Sequence, residues 1–259
     1  MSQDLFKVSS LGGMNLILLR PDDAWTGDHL VRLSDRRADH IRSVLRANVG
    51  DVLRVGVLGA DQGLAQVQAI DASGVLLSVQ LSDPPPPRHR FDVVLALPRP
   101  KMLRRILRTV AEFGVGHLHL INSARVDKSY WQSPLLAHHK LEEALWSGME
   151  RSRDTVRPEI HCYQRFRPFV EDQLPLLFAD RPCWIADHGA PLGLAQTPPG
   201  PAVVMIGPEG GFVPFEIELA CSVGAQRVHL GERILSVDTA VPSALAQGLM
   251  VASATSSSA

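Results

Sequence analysis

The stretch VVMIGPEGGF, Val203–Phe212, ends an apolar run abruptly in a glycine-rich turn. Residues 203–206 predict a buried strand, and Pro214 stands where the first turn of a following helix would begin. Open α/β sheets bind ligands at the carboxyl ends of their strands. Three glycines in five residues allow positive φ angles and let a ligand approach the backbone closely. The turn is therefore a candidate ligand-binding loop, although a tight turn without a ligand has the same composition.

A second glycine turn follows in VHLGERILSVDTAVPSAL, Val228–Leu245. The segment 227–230 predicts a strand, Gly231 ends it, and a helix with Pro242 near its start comes next. Neither turn matches the phosphate-binding loop, which ends in Gly-Lys-Ser/Thr, or the dinucleotide pattern G-x-G-x-x-G. Two successive strand ends with glycine turns are expected to line one pocket.

The second half of the chain alternates short apolar runs with helical patterns, which is typical of a parallel α/β sheet. The predicted strands are 92–97, 117–121, 183–186, 202–207 and 227–230. Apolar residues recur at helical spacing from Met102 to Phe113, so this helix is expected to bury one face. Arg104, Arg108 and Glu112 share the opposite face.

Four consecutive prolines in SDPPPPRHR, residues 82–90, mark the clearest boundary in the chain. Such a run favours a stiff, extended linker. Residues 1–83 are predicted to form a small β-barrel, and residues 84–259 the α/β domain.

The predicted barrel contains valine- and leucine-rich strand segments separated by glycine turns, at 51–59 and 74–81. One helix is expected near Arg36–Arg46, capped by Ser34 or Asp35. This helix concentrates positive charge through Arg36, Arg37, Arg42 and Arg46.

The bulk composition indicates an ordinary globular protein. Hydrophobic residues make up 45% and charged residues 20% of the 259 positions. No apolar run approaches the roughly 18 residues of a membrane span, and the N-terminus lacks the pattern of a secretory signal. Three widely spaced cysteines fit neither a disulfide framework nor a zinc site. These features predict a cytoplasmic protein with no membrane partner.

The net charge of −1 hides two basic segments, one of which is the helix near Arg36–Arg46. The other, RPKMLRRILR at 99–108, contains no acidic residue. Local fields of this kind bind RNA even when the whole chain is near neutral. His117 and His119 alternate in a predicted strand, so one is expected to be buried and hydrogen-bonded. The ten histidines show no metal-ligand spacing, and no metal is expected.

The two glycine turns together, IGPEGGF at 206–212 and LGERILSVDTA at 230–240, resemble the signature of the RsmE family. HIRSVLRANVGD (40–51), AEFGVGHLHLINSAR (111–125) and RPEI (157–160) are similar to further segments of that family. The family consists of bacterial SPOUT-class methyltransferases that methylate N3 of a uridine in small-subunit ribosomal RNA.

The resemblance implies a PUA-like RNA-binding β-barrel followed by a SPOUT α/β domain with a deep trefoil knot. It also implies a homodimer that acts on small-subunit ribosomal RNA or on the assembled small subunit. S-adenosylmethionine would lie in the knot. The residues that the resemblance assigns to this cofactor are Ile206, Gly207, Glu209, Gly210, Gly211, Leu230, Gly231, Ile234, Leu235, Ser236, Thr239 and Ala240.

Methyl transfer to uracil N3 requires loss of the N3 proton and stabilisation of the resulting anion. Arg153 and Glu209 are the candidate catalytic residues, while a loop-holding carboxylate is the alternative for Glu209. Asp238 could orient the ligand and Thr239 could contact the cofactor, but capping of the last helix is the favoured role for both. The candidate RNA-binding residues are Arg36, Arg37, Arg42, Arg46, Arg104, Arg108, Arg125 and Arg151.

Several polar positions depart from the family pattern. Ser236 replaces an arginine, Asp238 a glutamate and Arg151 a glutamine. These departures keep two alternatives open: a divergent enzyme that methylates another RNA base, and an RNA-binding ribosome-assembly factor that has lost catalysis.

Overall fold

The computed structural model describes residues 15–254, so residues 1–14 of the predicted barrel lie outside the described range. The chain folds as two compact units. The first contains the residues up to Pro86 together with Met149–Arg157, and the second contains Pro87–Gly148 and the residues from Pro158 onward.

The first unit is a curled six-stranded sheet. Its strands are β1 (Ile17–Leu19), β2 (Ala24–Thr26), β3 (Leu30–Leu33), β4 (Val52–Val57), β5 (Gln62–Asp71) and β6 (Gly74–Asp83). The order is β1-β4-β5-β6-β3-β2, antiparallel throughout except for the parallel pair β1–β4. Alternate residues point inward and form a core that includes Leu19, Val31, Leu33, Ile41, Val55, Val67 and Leu77.

The helix predicted near Arg36–Arg46 is a short α-helix, α1 (Arg36–Asp39), continued by a π-helical turn at His40–Val44. Asp35 caps it, because its carboxylate accepts a hydrogen bond from the Arg37 amide at 2.9 Å. The predicted cap at Asp35 is confirmed.

Arg37 is a structural residue, and its predicted contact with RNA is wrong. Its side chain is 5% exposed and forms ion pairs with Asp23 at 2.5 Å and Asp35 at 2.9 Å. It also donates to the Leu18 carbonyl oxygen at 2.8 Å. Burial lowers the pKa of Arg37, but the bonds to the two carboxylates outweigh burial and raise that pKa above its ordinary value. A guanidinium so engaged cannot reach a phosphate.

Residues 149–157 pack on the sheet of the first unit, which the sequence-based division at residues 83 and 84 does not anticipate. The Leu16 amide donates to the Glu150 carbonyl oxygen at 2.7 Å, and the Gly59 amide donates to that of Thr155 at 2.8 Å. A Cβ at Gly56 would lie 2.4 Å from the Thr155 methyl carbon. Backbone pairing of this kind leaves no compositional trace.

The second unit contains a six-stranded, entirely parallel sheet. Its strands are β7 (Phe91–Ala96), β8 (His117–Ile121), β9 (Glu159–Tyr163), β10 (Cys183–Ala186), β11 (Ala202–Ile206) and β12 (Gln226–Val228). The order is β12-β10-β11-β7-β8-β9. The central strands β7 and β11 are buried along their whole length, because helices cover both faces of a parallel sheet.

Helices connect these strands. They are α2 (Pro100–Glu112), α3 (His138–Ser152), α4 (Phe166–Pro168), α5 (Leu174–Leu177), α6 (Pro214–Ser222) and α7 (Val237–Ala254). As predicted, α2 buries one face, including Leu103, Ile106 and Val110, and leaves Arg104 exposed. Pro214 occupies the first turn of α6, also as predicted. Within the described range, no helix is long and apolar enough to cross a membrane.

Candidate active site

A cavity of about 460 Å³ lies at the carboxyl ends of β10 and β11, beside the loop that follows β12. The structure brings ten of the predicted cofactor residues to its wall: Ile206, Gly207, Glu209, Gly210, Gly211, Leu230, Gly231, Ile234, Leu235 and Ala240. Parallel strands end at the same edge of the sheet, so loops that are distant in sequence converge there.

Ser236 and Thr239 do not line this cavity. The Ser236 hydroxyl bonds to the Asp238 carboxylate at 2.7 Å and lies 3.0 Å from the Thr239 hydroxyl. The Ser236 carbonyl oxygen accepts from the amides of Thr239 and Ala240. These polar groups organise the start of α7, which favours the capping role over direct ligand contact.

The glycine turn after β11 needs its glycines for backbone reasons. Gly211 has a φ of 71°, which side chains with a Cβ rarely adopt. A Cβ at Gly207 would lie 2.9 Å from the Phe212 amide nitrogen. The Gly211 amide closes the turn on the Pro208 carbonyl oxygen at 2.8 Å.

The buried carboxylate of Glu216 fixes the chain that follows this turn. Glu216 in α6 is 3% exposed and accepts from the amides of Ala124 at 2.7 Å and Val213 at 3.0 Å. The Ser123 hydroxyl donates to it at 3.2 Å. Glu216 therefore joins the loop after β8 to the first turn of α6. The sequence analysis missed this role, since the only signal is a glutamate in the first turn of a helix.

Arg125 also supports the glycine turn. Its guanidinium donates to the Gly210 carbonyl oxygen and lies 3.5 Å from that of Gly211. Arg125 is otherwise exposed to solvent. The contact of Arg125 with RNA stays a prediction. The structure shows its contact with the glycine turn after β11.

The loop after β12 is fixed by side chains from α7 and from the loop itself. Gln247 donates to the Leu230 carbonyl oxygen at 3.0 Å, and the Gly231 amide donates to His229 Nδ1 at 3.1 Å. Gly231 has a φ of 140°. Ile234 lines the cavity but is 84% exposed, so its apolar side chain lies at the cavity mouth in contact with solvent.

A third loop that the sequence analysis missed completes the wall. Ala186, the last residue of β10, and the following Asp187 and His188 line the same cavity. Asp187 is held by Arg227, whose guanidinium lies 2.5 Å from the carboxylate. A signal existed, because the strand CWIA is followed by a glycine at residue 189, the pattern that marks the other two loops.

Basic residues at and just before the start of α2 adjoin the first glycine loop and the start of α7. Arg99 lies 3.9 Å from the Glu209 carboxylate, and Arg105 lies 3.8 Å from that of Asp238. Both arginine side chains are more than half exposed. Arg108 is half-buried, so the predicted RNA face of α2 is centred on its first two turns.

The remaining predicted site residues belong to the first unit. Arg36 pairs with Glu150 at 2.9 Å, and Arg42 donates to the Asp71 carbonyl oxygen at 2.6 Å. Arg46 is exposed in the left-handed backbone region, with a φ of 51°. The segment 149–157 supplies the last two, exposed Arg151 and half-buried Arg153, whose φ is 58°.

The histidine prediction for β8 is half right. His119 is 3% exposed, as expected for one of the pair, but its Nδ1 finds no hydrogen-bond partner among the described residues. Burial, together with the neighbouring imidazole of His161, lowers the pKa of His119 to about 3. A neutral ring is therefore packed in the sheet.

Comparison with known proteins gives consistent results. Residues 84–248 match the family model described as RNA methyltransferase domain. The chain is 27% identical over 242 residues to the ribosomal RNA small subunit methyltransferase E of Treponema pallidum, covering 90% of each chain. A similar enzyme from Synechocystis is 28% identical over 225 residues, covering 84% of this chain and 72% of that one.

A solved structure shares the fold over nearly the whole length. The ribosomal RNA small subunit methyltransferase E of Neisseria gonorrhoeae, bound to S-adenosyl methionine, superposes with a TM-score of 0.73 at 19% identity. The match covers 91% of this chain and 98% of that one. The predicted fold class, a PUA-like barrel followed by a SPOUT α/β domain, is confirmed. The chain belongs to the RNA methyltransferase domain family, and its predicted membership of the RsmE family is confirmed.

Proposed function

We propose that this protein transfers a methyl group from S-adenosylmethionine to N3 of a uridine in small-subunit ribosomal RNA. The observation that carries the proposal is the glycine-walled cavity at the carboxyl ends of the parallel strands, in a chain of this family. A volume of about 460 Å³ falls in the range of cofactor-sized sites. We extend the proposal to a cytoplasmic location, where an enzyme that modifies ribosomal RNA would act.

The residues present fit this cofactor. Gly207, Gly210 and Gly211 leave the backbone open to close approach, and Ile206 and Leu235 offer apolar contact to an adenine ring. When bound, S-adenosylmethionine supplies an electrophilic methyl carbon on a sulfonium. Arg125 and Glu216 keep the loops in place before the cofactor arrives, which lowers the cost of binding.

Proton removal from uracil N3 is assigned to Glu209. The cavity wall contains two carboxylates, and Arg227 already engages that of Asp187. Glu209 is partly exposed, and Arg99 lies 3.9 Å from it. Its carboxylate can accept the N3 proton, while a neighbouring arginine stabilises the anion that forms. Arg153 stays a candidate for that cation.

The target RNA is expected to follow the exposed arginines. Arg104 and Arg105 stand on α2 beside the loops that line the cavity, and Arg36 and Arg46 stand on the first unit. Guanidinium groups bind phosphate with fork-like geometry. The target uridine must leave any base stack to reach the cavity. We extend the proposal to a homodimer, as the family resemblance implies, which sedimentation equilibrium would test.

The direct test uses labelled S-adenosylmethionine and small ribosomal subunits that lack the modification. After incubation, the RNA is digested and the labelled nucleoside is identified. We expect N3-methyluridine. Label in another nucleoside would replace the proposal with a divergent base specificity. Cofactor binding without label on free RNA or on assembled subunits would indicate an RNA-binding assembly factor.

The role of Glu209 is tested by Glu209→Gln, with Glu232→Gln as the matched control because that glutamate is exposed in the second loop and is not part of the cavity wall. We expect the turnover of Glu209→Gln to fall by about 10²–10⁴ with cofactor affinity retained. Loss of affinity without loss of turnover at saturation would assign Glu209 to cofactor binding instead.

A further inference from the structure

A second cavity, of about 810 Å³, lies at the amino ends of the strands in the same parallel sheet. Its wall includes Asp92, His117, His119, His161 and Arg181. The methyl-transfer proposal uses none of these residues. The cavity lies beside β8 and β9, whose register pairs His117 with Glu159 and His119 with His161.

Three groups capable of binding a metal meet at this register. His117 Nδ1 lies 3.3 Å from His161 Nε2. The Glu159 carboxylate lies 3.6 Å from the first nitrogen and 3.7 Å from the second. Ligand atoms of a tetrahedral zinc site stand about 3.4 Å apart when each metal bond is about 2.1 Å. The triangle needs only a small inward movement of the Glu159 side chain, which is 63% exposed.

The arrangement is built by the sheet and not by chance surface contact. His119 lies directly opposite His161 in the register of β8 and β9. The two rings stack with centroids 4.7 Å apart and planes 14° apart. Tyr163 also stacks on His119, with ring centroids 6.0 Å apart. His119 is buried, lines the cavity and has a ring nitrogen without a partner among the described residues. Stacking thus orients the His161 ring, and the His117 ring stacks on it with centroids 5.6 Å apart.

We propose that His117, Glu159 and His161 form a binding site for a divalent transition-metal ion of the zinc type. Two imidazoles and one carboxylate suit zinc, cobalt and nickel, whereas magnesium and calcium prefer oxygen ligands alone. Three protein ligands leave a fourth position open, as in zinc sites that bind water or substrate. Because His117 and His161 line the cavity, a small anionic ligand can reach that position. The spacing of the histidines along the sequence does not reveal this site, because its ligands come from two strands.

The test is calorimetric titration of the untagged full-length protein with Zn²⁺, compared with His161→Ala and Glu159→Gln. The matched control is His138→Ala, because His138 also stands beside a carboxylate, that of Glu142 at 3.4 Å, on the exposed face of α3. We expect one equivalent of Zn²⁺ in the unaltered protein and in the control. We expect His161→Ala to bind at least about 100-fold more weakly and Glu159→Gln about tenfold more weakly.

Co²⁺ provides a spectroscopic check on the ligands. Tetrahedral Co²⁺ with nitrogen and oxygen ligands gives visible absorption, which should disappear in His161→Ala. A strong thiolate band would place the metal on a cysteine and overturn the proposal, as would equal binding by all variants or none by the unaltered protein. Circular dichroism verifies that each variant is folded. Methyl transfer is measured separately, so failure of either proposal is distinguishable from failure of the other.

Discussion

The two ends of the parallel sheet are built from different materials. At the carboxyl ends, loops with glycines at positive φ expose backbone groups around a cavity. At the amino ends, side chains form the hydrogen bonds. Arg181 donates to the Asp92 carboxylate at 2.6 Å, and the same carboxylate accepts from the His117 amide at 3.0 Å. Glycine backbone leaves open space for a ligand at the carboxyl ends, whereas paired and stacked side chains occupy the amino ends. The two ends of one sheet therefore differ in the groups that they present.

The largest effect is expected at the carboxyl end. Gly211→Val forces a branched side chain into positive φ, at a cost of roughly 1–3 kcal/mol, and places its methyls at the cavity wall. We expect affinity for S-adenosylmethionine to fall more than about 100-fold, measured by calorimetry. Gly59→Val is the control, because Gly59 has a similar φ of 78° and equally open surroundings in the first unit. Equal losses in both would show that strain alone, and not the cavity, explains the effect.

The support beneath the glycine turn should be next in magnitude. Glu216→Ala removes a buried carboxylate and leaves the amides of Ala124 and Val213 without their partner, so the free energy of unfolding should fall by about 1–3 kcal/mol. Urea denaturation measures this change. Glu218→Ala, an exposed position on the same helix, should change it by less than about 0.5 kcal/mol. A small effect at Glu216 would mean that the turn does not depend on this carboxylate.

The basic helix beside the carboxyl-end cavity should affect RNA and not the cofactor. Arg104→Glu should lower kcat/KM for small ribosomal subunits about tenfold and reduce the salt dependence of RNA binding by about one charge. Arg167→Glu is the control, since Arg167 is also exposed, pairs with Glu171 at 2.8 Å and is not one of the predicted RNA-binding residues. If both substitutions act equally, overall charge rather than a defined RNA face determines binding.

The amino end of the parallel sheet should make the free energy of unfolding fall in mild acid. His89 is buried before β7, where its Nδ1 accepts from the Phe91 amide at 3.0 Å and its Nε2 donates to the Leu245 carbonyl oxygen at 2.9 Å. Burial lowers the pKa of His89 below its ordinary 6.5. At a pH between the folded pKa and 6.5, His89 is therefore protonated in the unfolded chain and neutral in the folded one. The stability that His89 contributes is present above pH 6.5 and is lost as the pH falls towards the folded pKa.

This contribution is at most about 1.4 kcal/mol for each pH unit, the smallest of the expected effects. We expect His89→Gln to reduce the loss of unfolding free energy between about pH 7.5 and about pH 5.5. His139→Gln, which removes an exposed histidine from the same unit, should leave that loss unchanged. An unaltered pH dependence in His89→Gln would show that the buried ring does not stay neutral.

Much of the second unit was predictable because its signals are local. Buried parallel strands are short apolar runs, and 183–186 coincides with β10. The glycine turns at 207–211 and at Gly231 marked ten of the residues that line the cavity. The family resemblance supplied the cofactor and the reaction class. The knot that it implies has no signature in the strand pattern, because threading is a property of the whole chain path.

The sequence by itself determined which segments form strands and helices and where the backbone must be glycine, because periodicity and φ preferences act between near neighbours. Only the tertiary structure decided which charged groups are available. It buried Arg37 between two aspartates, paired segment 149–157 with the first sheet, and aligned His117 with Glu159 across two strands. Strand register and burial depend on contacts between residues far apart in the chain, so no local pattern records them.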